Sequence, residues 1–141
     1  MRDIKFRGKP KDKGSQWWHV HPVKWVYGNL QCPSVDGVGY FMWDKINGCL
    51  YQVEVDYDTI GQFTGLYDKN GKEIYEGDII RSYDSENNPI IHFIHWDNSN
   101  ACYIATIPQY PSIYSIVTKD WIEEYDKEII GNIHDNNELM K

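Results

Sequence analysis

Apolar and polar residues alternate along much of this chain with the period of two that half-buried strands require. Ile4 and Phe6 fall on one side of Asp3, Lys5 and Arg7, which predicts a first strand at the start of the chain. Residues 8 to 15 are polar. Trp17 to Leu30 is aromatic and β-branched and broken by Pro22, so it reads as two short strands around an edge or bend. Pro33, Gly37 and Gly39 mark a loop, after which Tyr40 to Trp43, the Asn47-Gly48 turn and Leu50 form a hairpin candidate. The alternation is cleanest at Tyr51, Val53 and Val55, with Gln52, Glu54 and Asp56 on the opposite face.

A glycine-rich stretch follows. Asp68-Lys69-Asn70-Gly71 predicts a turn with Asn70 and Gly71 as its two-residue tip, because Asn-Gly accepts the positive φ angles that other residues resist. Gly77 permits a tight reversal, and the Asp78 carboxylate is placed to accept a backbone N–H before Ile79 and Ile80 open the next strand. These glycines read as corner devices. Ile90 to Trp96 and Ala101 to Ile107 predict another hairpin around residues 97–100, closed by Pro108 and Pro111.

Helix is predicted only near the C-terminus. Thr118 or Asp120 can cap one or two turns through Trp121, Ile122 and Tyr125, followed by a last strand over Glu128 to Ile133. Asn136 or Asn137 then caps a terminal turn that docks Leu139 and Met140. Many short strands with glycine corners predict a mainly β fold, a small barrel with additional antiparallel strands and one or two short helices near the C-terminus.

With 141 residues, 41% of them hydrophobic and 15% aromatic, the chain suits one folded domain over 1–141. No apolar run approaches the roughly 18 residues of a membrane span, and the charged start differs from a secretory signal. The expected location is therefore the cytoplasm, with no membrane partner. Cys32, Cys49 and Cys102 are odd in number and far apart, which predicts reduced thiols.

The net charge of -7 disfavours sequence-independent binding to a phosphate backbone. Charge is unevenly spread: Arg2, Lys5, Arg7, Lys9, Lys11 and Lys13 make residues 1–14 basic, and residues 120–141 are acidic. One reading sets the basic segment against an acidic surface of a neighbouring copy, and its rival pairs the two ends within one chain.

Three blocks in chain order carry a family resemblance. They are Met1 to Arg7 with Trp25-Val26-Tyr27-Gly28; Gly61-Gln62-Phe63-Thr64-Gly65-Leu66 continuing through Lys69 to Ile79; and Ile129-Ile130-Gly131-Asn132-Ile133 with Glu138-Leu139. Together they resemble the YopX proteins of bacteriophages and prophages, over nearly the whole chain. The resemblance implies an SH3-like barrel and a bacterial host cytoplasm. It brings no activity and no catalytic residue.

Candidate chemistry is sparse. Glu76 and Asp78 could serve as paired carboxylates for a metal or for acid–base work, but no third ligand is tied to them, so Asp78 is read as a turn cap. His19 and His21 share a strand face and would need His92 or His95 to complete a zinc set, but nothing in the sequence brings them together, so His92 and His95 are read as hydrogen-bonded residues at the rim of a core. The cysteines lack a linked base. No phosphate-binding glycine motif occurs.

No catalytic, cofactor or metal residue is therefore assigned. Trp17, Trp18 and Trp25, with Lys5 and Arg7, are the candidate partner surface, suited to a protein interface or to stacking single-stranded nucleic acid. The expected protein is a non-enzymatic phage or prophage accessory module that binds a phage or host protein or itself as a homo-oligomer. Single-stranded nucleic-acid binding is the alternative, and a metal-dependent hydrolase ranks behind it.

Overall fold

The computed structural model describes residues 3–11, 24–31, 40–46 and 48–141. They divide into two compact units, Met1–Gln62 and Phe63–Lys141. Trp17, Trp18, His19, His21, Pro22, Cys32 and Asn47 lie outside the described residues, as does the loop predicted at residues 32–39.

In the first unit, β1 (Phe6–Gly8) pairs antiparallel with β2 (Val26–Gly28). On its other side β1 pairs with Gly61 and Gln62, the first residues of β6 (Gly61–Tyr67). The strand expected at Ile4 begins only at Phe6, and Ile4 is exposed. A second antiparallel group joins β3 (Leu30–Gln31), β4 (Tyr40–Ile46) and β5 (Cys49–Val55), so the predicted hairpin forms and is longer than expected. Val26, Met42 and Val55 are fully buried, with Phe6, Leu30, Tyr40, Val53 and Ile60 packed around them. Each such aliphatic side chain contributes about 1.5–3 kcal/mol on leaving water.

The second unit holds the rest of β6, which pairs with β7 (Glu73–Tyr75), and a five-stranded antiparallel sheet. That sheet contains β8 (Asp78–Tyr83), β9 (Pro89–Asp97), β10 (Cys102–Ile107), β11 (Tyr110–Ile116) and β12 (Glu128–Asn132) in the order β11-β10-β9-β8-β12. Its core is Ile74, Ile80, Ile94, Tyr103, Ala105, Ile122 and Ile129, with Leu66, Val117 and Trp121 against it.

Between β11 and β12 runs the predicted helix α1 (Lys119–Glu123), capped by the Thr118 hydroxyl, which accepts the Trp121 N–H at 3.1 Å. It ends quickly because Tyr125 and Asp126 take positive φ angles of 55° and 48°, turning the chain into β12. At the C-terminus the short 3-10 turn Asn137–Met140 follows Asn136, whose side chain accepts the Asn132 N–H at 3.3 Å instead of capping the turn.

The fold is mainly β with one short helix near the C-terminus, as the pattern predicted. The predicted closed barrel is not found among the described residues: the five-stranded sheet stays open, with β11 and β12 as its two edges. The alternation of residues reports which positions are half-buried. It does not report whether the last strand meets the first, which depends on accumulated tilt and register.

Candidate interaction surface

Pro108 and Pro111 are expected to close the β9–β10 hairpin, but Tyr110–Ile116 forms an additional strand. Ile107 pairs with Tyr110 across a Pro108-Gln109 turn, and Thr106, Ala105 and Ile104 pair with Tyr114, Ser115 and Ile116. The register shift between Thr106 and Ile107 leaves residues 111–113 as an irregularity on β11. Pro111, which lacks an N–H, is tolerated there because the strand is at the edge of its sheet.

The strand gives no alternation to read because it is wet on both faces. Tyr110, Ile113, Tyr114 and Ile116 are 63%, 55%, 51% and 53% exposed, whereas four consecutive residues of neighbouring β10 are buried. No residue between Asp97 and Lys119 is charged, although a quarter of the whole chain is. Edge strands are ordinarily protected by charge, proline or a bulge. Here Pro111 and the irregularity protect the first half, and Tyr114–Ile116 carries neither device.

The backbone polarity of that second half follows from one hydrogen bond. Val117 donates its N–H to Tyr103 C=O at 2.9 Å. Antiparallel alternation then turns Ser115 toward β10 and aims the N–H and C=O of Tyr114 and Ile116 at the open edge.

The other candidates have structural roles in place. Arg7 is 5% exposed and lies over the Trp25 ring at 4.9 Å, with the Lys9 ammonium 5.5 Å from the same ring. Arg7 and Lys9 thus stack on Trp25. Lys5 sits 3.5 Å from Asp3.

At the glycine corner, Gly71 donates to Asp68 C=O and Asp68 donates to Lys72 C=O, so Lys69 and Asn70 are the central turn residues and Gly71 follows at φ 77°. This corrects the expected tip at Asn70-Gly71 to a three-residue loop in which Gly71 alone takes the left-handed conformation. Gly77 has φ 85°, and the buried Asp78 accepts a backbone N–H as expected, that of Tyr75 at 2.8 Å. Asp68, which sequence reading overlooked, accepts three backbone N–H groups, from Asn70, Lys72 and Ile129. Glu128 binds Arg81 at 2.8 Å, and Arg81, then Lys69, holds its carboxyl below the usual carboxylate range.

Ser82 Oγ and His92 Nε2 lie 2.9 Å apart, the spacing of a nucleophile and its base. Both residues are buried, however, and among the described residues His92 Nδ1 has no hydrogen-bond partner that would orient the ring as a base. Burial, and then the Lys127 charge, lowers the His92 pKa to about 4. Lys127 is itself buried, donates to Glu124 C=O at 2.6 Å and sits 4.5 Å from the Trp121 ring; burial lowers its pKa. His95 bonds Thr106 Oγ1 at 2.8 Å.

Among the described residues no three His, Cys, Asp or Glu side chains converge as a metal site. A cleft of about 470 Å³ is lined by Leu66, Tyr67, Lys69, Lys119, Ile122 and Asp126. Its cations are already engaged, Lys69 with Glu128 and Lys119 with Glu123.

The chain is similar to the crystal structure of protein EF1440 from Enterococcus faecalis, with 22% identity, a TM-score of 0.51 and full coverage of both chains, a likeness of fold. No curated protein matches the sequence. The sequence model described as YopX protein matches residues 5–141, which takes in all three blocks named above apart from the first four residues, and the chain belongs to the YopX family.

Proposed function

We propose that this protein is a non-enzymatic binding module that works by adding a strand to the open edge of β11. The observation that carries the reading is the pairing of exposed Tyr114 and Ile116 side chains with outward N–H and C=O groups on an uncharged edge. Main-chain bonds supply affinity in such strand addition, and alternate side chains supply selectivity. Engagement of Arg7 with Trp25, and of Ser82 with buried His92, favours this over nucleic-acid binding and over catalysis. The setting we propose is a phage or prophage accessory role in a bacterial cytoplasm, in keeping with the family resemblance. An SH3-like core belongs to the same proposal and is supported by the bulged, short antiparallel strands.

A labelled peptide with the sequence of residues 110–118, titrated onto the protein at low concentration, tests the edge. Saturable binding that slows amide exchange at Tyr114 and Ile116 and survives high salt is the expected result. No binding at about 1 mM peptide, the weak limit of useful recognition, overturns it.

A further inference from the structure

We infer that the strand received by β11 is β11 of a second copy, paired antiparallel about a two-fold axis at Ser115. The inference rests on the edge-binding reading above and adds the identity of the partner.

Geometry makes the edge self-complementary. Ser115 faces β10, so its own N–H and C=O are already directed inward, and its small side chain lets two strands meet at the axis. On either side, Tyr114 of one copy then stands opposite Ile116 of the other, and the outward N–H and C=O groups of those two residues satisfy each other reciprocally. Because the operation is a two-fold, the same pair forms twice. Each pair sets an aromatic side chain beside a β-branched one, a favourable cross-strand combination. Both side chains are about half exposed in the single copy, so pairing removes apolar surface that nothing else in the described residues covers.

Charge at this edge does not oppose a second copy. Two copies of a chain with net charge -7 repel when acidic faces meet, and the segment between Asp97 and Lys119 is a long stretch where they approach without opposing charges. A foreign strand would ordinarily be chosen by complementary charges at its flanks, and this edge offers none to read. Another uncharged strand is what it fits, and β11 is itself such a strand.

The exposed parts of Tyr110, Ile113, Tyr114 and Ile116 amount to on the order of 400 Å² per copy. That is below a standard interface of about 800 Å² per partner, so the dimer is concentration-dependent. It differs from an oligomer stitched by the basic N-terminal segment in its response to salt: an apolar, main-chain contact persists where ion pairs are screened.

Sedimentation velocity over a wide concentration range, at physiological and at about 1 M salt, provides the test. The expected result is a monomer–dimer equilibrium that high salt does not weaken. Tyr114→Lys and Ile116→Lys, both at exposed positions, should each raise the dissociation constant at least about tenfold with an unchanged unfolding midpoint, because lysine on an edge strand opposes pairing. Tyr125→Lys, exposed but away from β11, should leave it unchanged. A readout free of mutations is the amide exchange of Tyr114 and Ile116, which should slow as protein concentration rises.

A monomer at all concentrations up to about 1 mM overturns the inference, as does a dimer indifferent to both lysines. If the chain stays monomeric while the 110–118 peptide binds, self-pairing falls and the edge-binding reading stands. If neither the peptide nor a second copy binds, both fall.

Discussion

Ile129 donates its backbone N–H to Asp68 Oδ2 at 3.1 Å, across 61 positions of sequence. The other oxygen of the same carboxylate accepts the N–H groups of Asn70 and Lys72, each at 2.9 Å. One buried side chain thus fixes the β6–β7 turn and anchors β12 to it. Asp68→Ala leaves three N–H groups without this acceptor and should cost about 3 kcal/mol in urea unfolding, whereas Asp68→Asn, with a single acceptor oxygen, should cost about half as much. An alanine variant within about 0.5 kcal/mol of the parent would remove Asp68 from this role.

The two corner glycines should respond in a graded way. Gly71→Ala must hold a Cβ at φ 77° with nothing nearby to clash, so only the backbone penalty of about 1 kcal/mol is expected, and Gly71→Asn should cost less because asparagine enters this region more readily. Gly77→Ala has the same kind of penalty at φ 85°, with the added Cβ in ordinary contact with Ile133 at 3.5 Å. Its loss should be about 1–2 kcal/mol. Chemical denaturation of the three variants checks the order, and a neutral Gly71→Ala would contradict the left-handed assignment.

Acid sensitivity should trace to His92. Its pKa is lowered from 6.5 to about 4, first by burial and then by Lys127. The unfolded chain therefore binds more protons in that window, so this contribution to stability is complete above about pH 6.5 and is lost as pH falls toward about 4. After allowance for solvent screening at the ring it amounts to about 2 kcal/mol. Unfolding free energies measured from pH 7 to 4 should fall less steeply in His92→Gln than in the parent. Lys127→Met should move the His92 titration upward by NMR, since it removes the neighbouring positive charge, and an unmoved titration would show that burial acts alone.

Chelation is expected to leave thermal unfolding unchanged. A metal bound to the native state would raise the midpoint, and its removal would lower it. Protein purified without a His tag, scanned with and without EDTA, gives the answer. A drop of several degrees would point to His19 and His21.

Local chemistry was legible in the sequence wherever a few neighbouring residues settle the conformation. The β4–β5 and β9–β10 hairpins, the Thr118 cap of α1, the positive φ of Gly77 and the Asp78 carboxylate on a backbone N–H each depend on contacts within a hairpin or a single turn, and each was predicted. So was the family, through blocks spaced along the chain. The turn at Gly71 lies one residue from its expected place, because Asn-Gly serves equally as a tip and as the end of a longer loop.

What only the tertiary structure decided is non-local. Strand β11 has no alternation because an edge wet on both faces sets no pattern, and Pro111 pointed away from strand until its edge position was known. Asp68 looks like any turn aspartate until Ile129 is brought beside it, and His92 looks like any strand histidine until Trp121 and Lys127 enclose it. That the five-stranded sheet ends in two edges among the described residues has the same origin. Sequence periodicity fixes which face of a strand is buried, while pairing, closure and the availability of an edge depend on which distant strands arrive next to it.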